Sequence, residues 1–285
     1  MAIDDLNREM AVNSGTVTLM TGGSGGIGLG MAHLLAARGH RLILVSRDLH
    51  RLHEAAAELQ RKYGHEVHIH AIDLSERGAA QRLFEHTQRL GMQIDVLVNN
   101  AGFGIVDEHV EIDSAQLERM LQLDVVTVAE LCQLYGLAMK QRRSGRILNI
   151  ASTAAFQPTP YFAAYGAAKA FVLNFSEALA KELEDHGVSV SCLAPGPTDT
   201  AFFDGVDPRR IAGDHFFGKA QRAKTADVAA AGVELLLSGG LTRVVGLTNQ
   251  LMIMGNRFSP RALTAAVSKR MLKPLEIKQG GHEAR

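Results

Sequence analysis

From residue 16 to about residue 250, short apolar runs alternate with stretches of helix length, and this rhythm limits the fold more than any other feature. The strand candidates are TVTLM (16–20), RLILVS (41–46), EVHIHAI (66–72), IDVLVNN (94–100), GRILNIAS (145–152), VSVSCLAP (188–195) and TRVVG (242–246). Between them lie helix patterns at 27–39, 48–64, 75–91 and 114–142, then one that ends near 186. Runs of Val, Leu and Ile without in–out alternation need cover on both faces, which is the condition of a parallel strand. Right-handed crossovers then predict an α/β fold with a doubly wound, seven-stranded parallel sheet and helices on both faces. No repeat, low-complexity tract or linker divides the chain, so one domain over 1–285 is expected, with 1–15 as a flexible leader.

Composition removes several classes of function. Thirty Lys and Arg balance thirty Asp and Glu, so no global field favours nucleic acid or an anionic surface. No 18-residue apolar run suggests a membrane span, and the acidic, polar start MAIDDLNREMAVNSG lacks the apolar core of a signal peptide. Cys132 and Cys192 lie in apolar runs and fit buried thiols of a reducing compartment, so a cytoplasmic protein is expected. His65, His68 and His70 cluster in HEVHIH, but no cysteine or carboxylate of ligand spacing accompanies them. A strand-edge reading therefore outweighs a metal site, and no metal is expected.

The first strand runs into Thr21-Gly-Gly-Ser-Gly-Gly-Ile-Gly28, where residues 23–28 fit G-x-G-x-x-G between a strand and a helix. Glycines allow a tight turn and close approach of phosphate oxygens, while the helix N-terminus offers free N–H groups to a pyrophosphate. This context predicts the dinucleotide crevice of a Rossmann fold. The second strand ends Val45-Ser46-Arg47-Asp48, where an acidic residue would read the 2′-hydroxyl of NAD and an arginine a 2′-phosphate. Ser46 and Arg47 favour NADP over NAD, and Asp48 explains itself as a helix cap; the plain alternative is an Arg47 on a solvated turn.

YFAAYGAAK (161–169) sets Tyr165 and Lys169 four residues apart, on one face of a helix. An ammonium near a phenol favours the phenolate and suits the tyrosine to proton transfer. The spacing alone also fits a lysine snorkelling beside a core tyrosine.

The glycine loop, Asn99-Asn100-Ala101-Gly102, Ser152 and Tyr165-x-x-x-Lys169 occur in order on this strand pattern. Together they resemble the short-chain dehydrogenase/reductase family over about residues 16–250. The resemblance implies a cofactor loop of Thr21, Gly22, Ser24, Gly26, Ile27 and Gly28, with Asp73 at the adenine and Asn100, Ala101 and Gly102 beside the adenosine ribose. It implies that Ser152 bonds the substrate oxygen, that Tyr165 exchanges the proton and that Lys169 holds the nicotinamide ribose. Pro195, Gly196, Thr198 and Thr200 resemble the segment that fixes the carboxamide. Donors at the oxygen where charge develops, beside a hydride-carrying cofactor, make this set chemically coherent. One departure stands out: Asp124 takes the place of the family's asparagine in the long helix. A carboxylate there lacks the amide's N–H donors and can pair with Lys169. It either changes catalysis or replaces the amide with modest loss.

Phe103, Phe156, Tyr161, Phe202-Phe203 and Phe216-Phe217 gather where the family places its substrate cleft, and 200–222 is expected to form a lid. Such a lining suits an apolar ketone, aldehyde or alcohol. The resemblance also implies a homodimer or homotetramer paired through helices 114–142 and 165–186. Residues 258–285 form a basic, amphipathic helical extension, expected to pack on a partner subunit or its own domain rather than on a membrane. The leading expectation is an NADP-dependent carbonyl reductase or alcohol dehydrogenase. A cofactor-binding regulatory or scaffold protein of impaired turnover is the alternative, and an epimerase or dehydratase on the same fold a third.

Overall fold

The computed structural model describes residues 15–203 and 222–273. Seven strands form one parallel sheet: β1 (Val17–Thr21), β2 (Arg41–Ser46), β3 (Val67–Ala71), β4 (Val96–Asn99), β5 (Gly145–Ile150), β6 (Val188–Ala194) and β7 (Thr242–Val244), in the order β3-β2-β1-β4-β5-β6-β7. The order reverses between β1 and β4, so the crevice for a ligand opens there, at the carboxyl ends of the strands.

The helices are α1 (Gly26–Ala36), α2 (Leu49–Tyr63), α3 (Ala79–Arg89), α4 (Ser114–Leu121), α5 (Val128–Arg142), α6 (Ala163–Leu183), α7 (Thr225–Ser238), α8 (Leu247–Phe258) and α9 (Arg261–Leu272). Successive strand residues serve opposite layers. Leu42 and Leu44 join Met31, Leu35, Leu52 and Leu236, whereas Ile43 and Val45 join Leu83, Leu131, Tyr135 and Val172. Both faces are buried at the sheet, which is why the centre of β2, Leu42 to Val45, reads as an unbroken apolar run.

Two details depart from the sequence expectation. The long helix over 114–142 is interrupted by a π-helical turn at Gln122–Thr127, between α4 and α5. Strand β7 stops at Val244, and α8 follows at once, a helix that the sequence pattern did not announce. The C-terminal extension contributes α9. The expected leader (except Gly15), the lid from 204 to 221 and the tail from 274 fall outside the described residues.

Candidate active site

The glycine loop after β1 is held from behind. Thr21 Oγ1 accepts the N–H groups of Asn100 and Ala101, both at 3.0 Å, and donates to the Val98 carbonyl. Asn100 Nδ2 donates to the Thr21 and Gly22 carbonyls at 3.1 and 3.2 Å. A Cβ at Gly28 would lie 2.3 Å from the Gly22 oxygen, so only glycine lets α1 approach the turn this closely. Thr21 and Gly28 therefore support the loop but do not line the cavity in front of it. Gly22, Ser24, Gly26 and Ile27 do. The N-cap of α1, Gly25, makes no side-chain capping bond, which leaves the first-turn N–H groups to a ligand.

That cavity, about 400 Å³, also takes in Ser46, Arg47, Asp73, Asn100, Ala101, Gly102, Ser152, Tyr165, Lys169, Pro195, Gly196, Thr198 and Thr200. The structure thus gathers residues from six strand ends and their loops at the predicted crevice. Asp48 accepts the Arg51 N–H at 3.0 Å as the cap of α2, so its side chain is committed to the helix. Arg51, whose Nε lies 3.5 Å from the same carboxylate, lines the cavity with Arg47, a second cation that the sequence motifs did not mark. Its place in the first turn of α2, four residues beyond Arg47, was the available signal. Asp73 accepts from the Ser75 hydroxyl at 2.6 Å and pairs with Arg119 at 2.6 Å. Burial works against its charge, but these bonds outweigh it and hold the carboxyl below its usual range.

At the other end, Tyr165 stacks on Phe162 at 4.1 Å and meets Phe202 edge-on at 5.6 Å. Lys169 lies 5.5 Å from the Tyr165 ring centroid and donates to the Ile150 carbonyl at 3.3 Å. Ser152 caps a short 3₁₀ turn, accepting the Ala154 N–H at 3.2 Å. Phe103, Phe162 and Phe202 share the cavity wall. Phe156 instead packs against the core, Tyr161 is not on the wall, and Phe216 and Phe217 lie outside the described residues.

Asp124 sits behind Lys169 rather than on the cavity wall, fully buried in the π turn. Its Oδ1 accepts the Phe103 N–H at 3.2 Å, and its Oδ2, which makes no hydrogen bond of good geometry, faces the Lys169 ammonium at 3.3 Å. Burial pushes the aspartate up, with Lys169 and the Phe103 N–H opposing. For Lys169, burial disfavours the charge, but Asp124 and Tyr165 more than compensate and raise its pKa. The phenol departs from the simple expectation drawn from its lysine neighbour. Burial raises its pKa, Lys169 lowers it, Asp124 raises it again, and a hydrogen bond with Ser152 lowers it; the net direction is up.

Among the described residues no three His, Cys, Asp or Glu side chains gather to hold a metal; His70 stacks on His86 at 3.9 Å. Cys132 and Cys192 are free and buried. No described helix is long and apolar enough to cross a membrane.

Comparison with known proteins gives the site its context. The chain is 34% identical over 183 residues to 17-beta-hydroxysteroid dehydrogenase type 3 of Mus musculus, covering 64% of this chain and 59% of that one. It is also 34% identical over 183 residues to a very-long-chain 3-oxoacyl-CoA reductase of Phaeosphaeria nodorum, covering 63% and 54%. The chain therefore spans little more than half the length of these relatives. Among solved structures, a short-chain dehydrogenase from Sphingobium yanoikuyae in complex with NADPH superposes with a TM-score of 0.75 at 26% identity, over 94% of this chain and all of that one. A sequence-family profile described as short chain dehydrogenase matches residues 16–210, the span that holds the glycine loop, Ser152, Tyr165 and Lys169. The chain belongs to the short-chain dehydrogenase family of oxidoreductases.

Proposed function

We propose that the protein is an NADP-dependent oxidoreductase that interconverts an apolar ketone and its secondary alcohol, with Tyr165 as the proton donor and acceptor. The observation that carries this reading is the convergence of Tyr165, Lys169 and Ser152 with the glycine loop in one cavity. The residues fit the cofactor. The cradle at Gly22 and Gly28 has no room for a Cβ, the α1 N-terminus is uncapped, and Arg47 and Arg51 offer planar cations to a 2′-phosphate. When bound, the nicotinamide supplies the hydride.

The chain's own groups do the rest. Gly22 to Ile27 and the α1 N-terminus would hold the pyrophosphate, and Lys169 would hold the nicotinamide ribose. Ser152 donates to the substrate oxygen, and Tyr165 delivers the proton to it as charge develops. The Lys169 ammonium keeps that proton labile against the cost of burial. Phe103, Phe162 and Phe202 exclude water and favour an apolar substituent. Asp124 acts through Lys169 as a positioning residue. A homo-oligomer belongs to the same reading: Leu121 at the end of α4, Val126 in the π turn, Leu137 on α5 and Phe171 on α6 remain exposed along the helices expected to pair.

Turnover of NADPH against a panel of apolar ketones tests the proposal. Tyr165→Phe should lose about 10²- to 10⁴-fold in kcat, the range of a general acid, with NADPH binding retained. NADPH binding without turnover on any carbonyl would instead favour a scaffold of impaired activity. The Asp124–Lys169 pair is the observation on that side, because Asp124 counteracts the effect of Lys169 on the phenol.

A further inference from the structure

Helices α8 and α9 each turn a row of apolar side chains outward. The outward row of α8 is Leu247, Leu251, Met254 and Phe258, spaced i, i+4, i+7 and i+11 along one face; Leu247 is 77% exposed and Phe258 84%. Its inward row is half-buried and mixes Met252 and Ile253 with Asn249 and Asn256, whose amides bond the Val245 carbonyl and the Gln157 side chain. On α9 the outward row is Leu263, Val267 and Met271, whereas Thr264 and Ser268 are buried with Leu272. A helix that faced water alone would not leave such a row outward on both elements. The apolar face looks for an apolar medium.

Charge says which medium. From Leu247 to Lys273 the sequence holds five basic residues (Arg257, Arg261, Lys269, Arg270 and Lys273) and no Asp or Glu, in a chain whose formal charge is zero. Apolar side chains edged by cations alone fit the interface of an anionic bilayer, where the first enter the acyl boundary and the second meet phosphate and carboxylate. A second copy of this chain fits less well. A two-fold contact would set the same basic segment against itself, with no acidic residue within it to answer. We propose that the outer face of α8 and α9 docks the protein on an anionic lipid surface. The inward faces of the same helices bring Met252 and Leu272 to the wall of the cavity, so docking would hold that cavity close to the bilayer.

Vesicle flotation tests this directly. The full chain should float with mixed phosphatidylcholine–phosphatidylserine vesicles and bind phosphatidylcholine alone at least about 10-fold more weakly, with the difference erased by high salt. The double substitution Leu251→Glu and Phe258→Glu should lose about 10-fold or more on the mixed vesicles, with circular dichroism and melting temperature unchanged. If that variant does not fold, Arg261→Glu with Arg270→Glu should weaken binding similarly. Absence of wild-type binding to the mixed vesicles overturns the proposal. So does an oligomer in light scattering that Leu251→Glu and Phe258→Glu dissociates without any change in vesicle binding, which would assign the face to a second copy.

Discussion

The carboxylate of Asp124 is the residue that separates this site from the arrangement its family resemblance implies. An asparagine would leave Lys169 as the only charge near the phenol, whereas Asp124 places an anion 3.3 Å from that ammonium. The anion pushes Tyr165 up, so its removal must bring the phenol down. Asp124→Asn should therefore shift the rising limb of kcat against pH for alcohol oxidation to lower pH, because the phenolate is the base in that direction. An unmoved limb would show that Asp124 has no electrostatic hold on Tyr165. On the cavity wall, Arg51 supplies a prediction of another kind. It lines the cavity with Arg47, its Nε 3.5 Å from the Asp48 carboxylate, and a charged hydrogen bond is worth about 1.5–3 kcal/mol. Arg51→Ala should weaken NADPH roughly 10- to 100-fold and leave NADH nearly unchanged, as read by fluorescence titration. Equal losses for both cofactors would place Arg51 elsewhere than at the 2′-phosphate.

Among the elements, the π turn between α4 and α5 is the most consequential. Six residues in a wider turn bury both Asp124 and Thr127; the Thr127 hydroxyl bonds the Leu74 carbonyl at 2.8 Å while Asp124 faces Lys169. Such bulges often coincide with functional sites. Strand β2 carries a different device at its amino end. His40, buried, meets the Thr18 hydroxyl at 2.8 Å, and burial lowers its pKa from 6.5 to about 4, aided by the Arg38 and Arg146 charges and opposed by Asp95. The folded state thus keeps His40 neutral where the unfolded chain takes up a proton. Its stabilisation is present above pH 6.5 and lost as pH falls through that value towards 4. A shift of this size corresponds to about 3 kcal/mol. Denaturant melts across this window should show that loss, and His40→Gln should flatten the slope by about the same amount.

Across the whole molecule, the two layers meet the crevice from opposite sides of one sheet, and a dinucleotide would bridge loops from six strands. Binding energy of that kind appears as stability of the whole domain. At a hundredfold excess over Kd, NADPH should add about 2.7 kcal/mol. For a chain of this size, that raises the melting temperature by roughly 5–10 °C. NADH at equal concentration should raise it less if Arg47 and Arg51 read the phosphate. Equal shifts in differential scanning fluorimetry would count against the NADP assignment.

Much of this was legible in the sequence. Fold class was written in the spacing of apolar runs, because a strand covered on both sides has few other compositions open to it. The glycine loop and the Tyr165–Lys169 pair were legible because they rest on backbone access and fixed local spacing, and Ser152 through the family resemblance; their meeting in one cavity came from the fold. What lay beyond local pattern was decided by packing between distant segments. Arg51 joined Arg47 only once α2 had turned over the crevice. The net pKa of Tyr165 required the burial and the Asp124 charge that a π turn delivers from 41 residues away. The outward apolar rows of α8 and α9 became visible only when the inward faces had been assigned. Periodicity tells which residues share a side of a helix, but only contact between elements tells which side is buried.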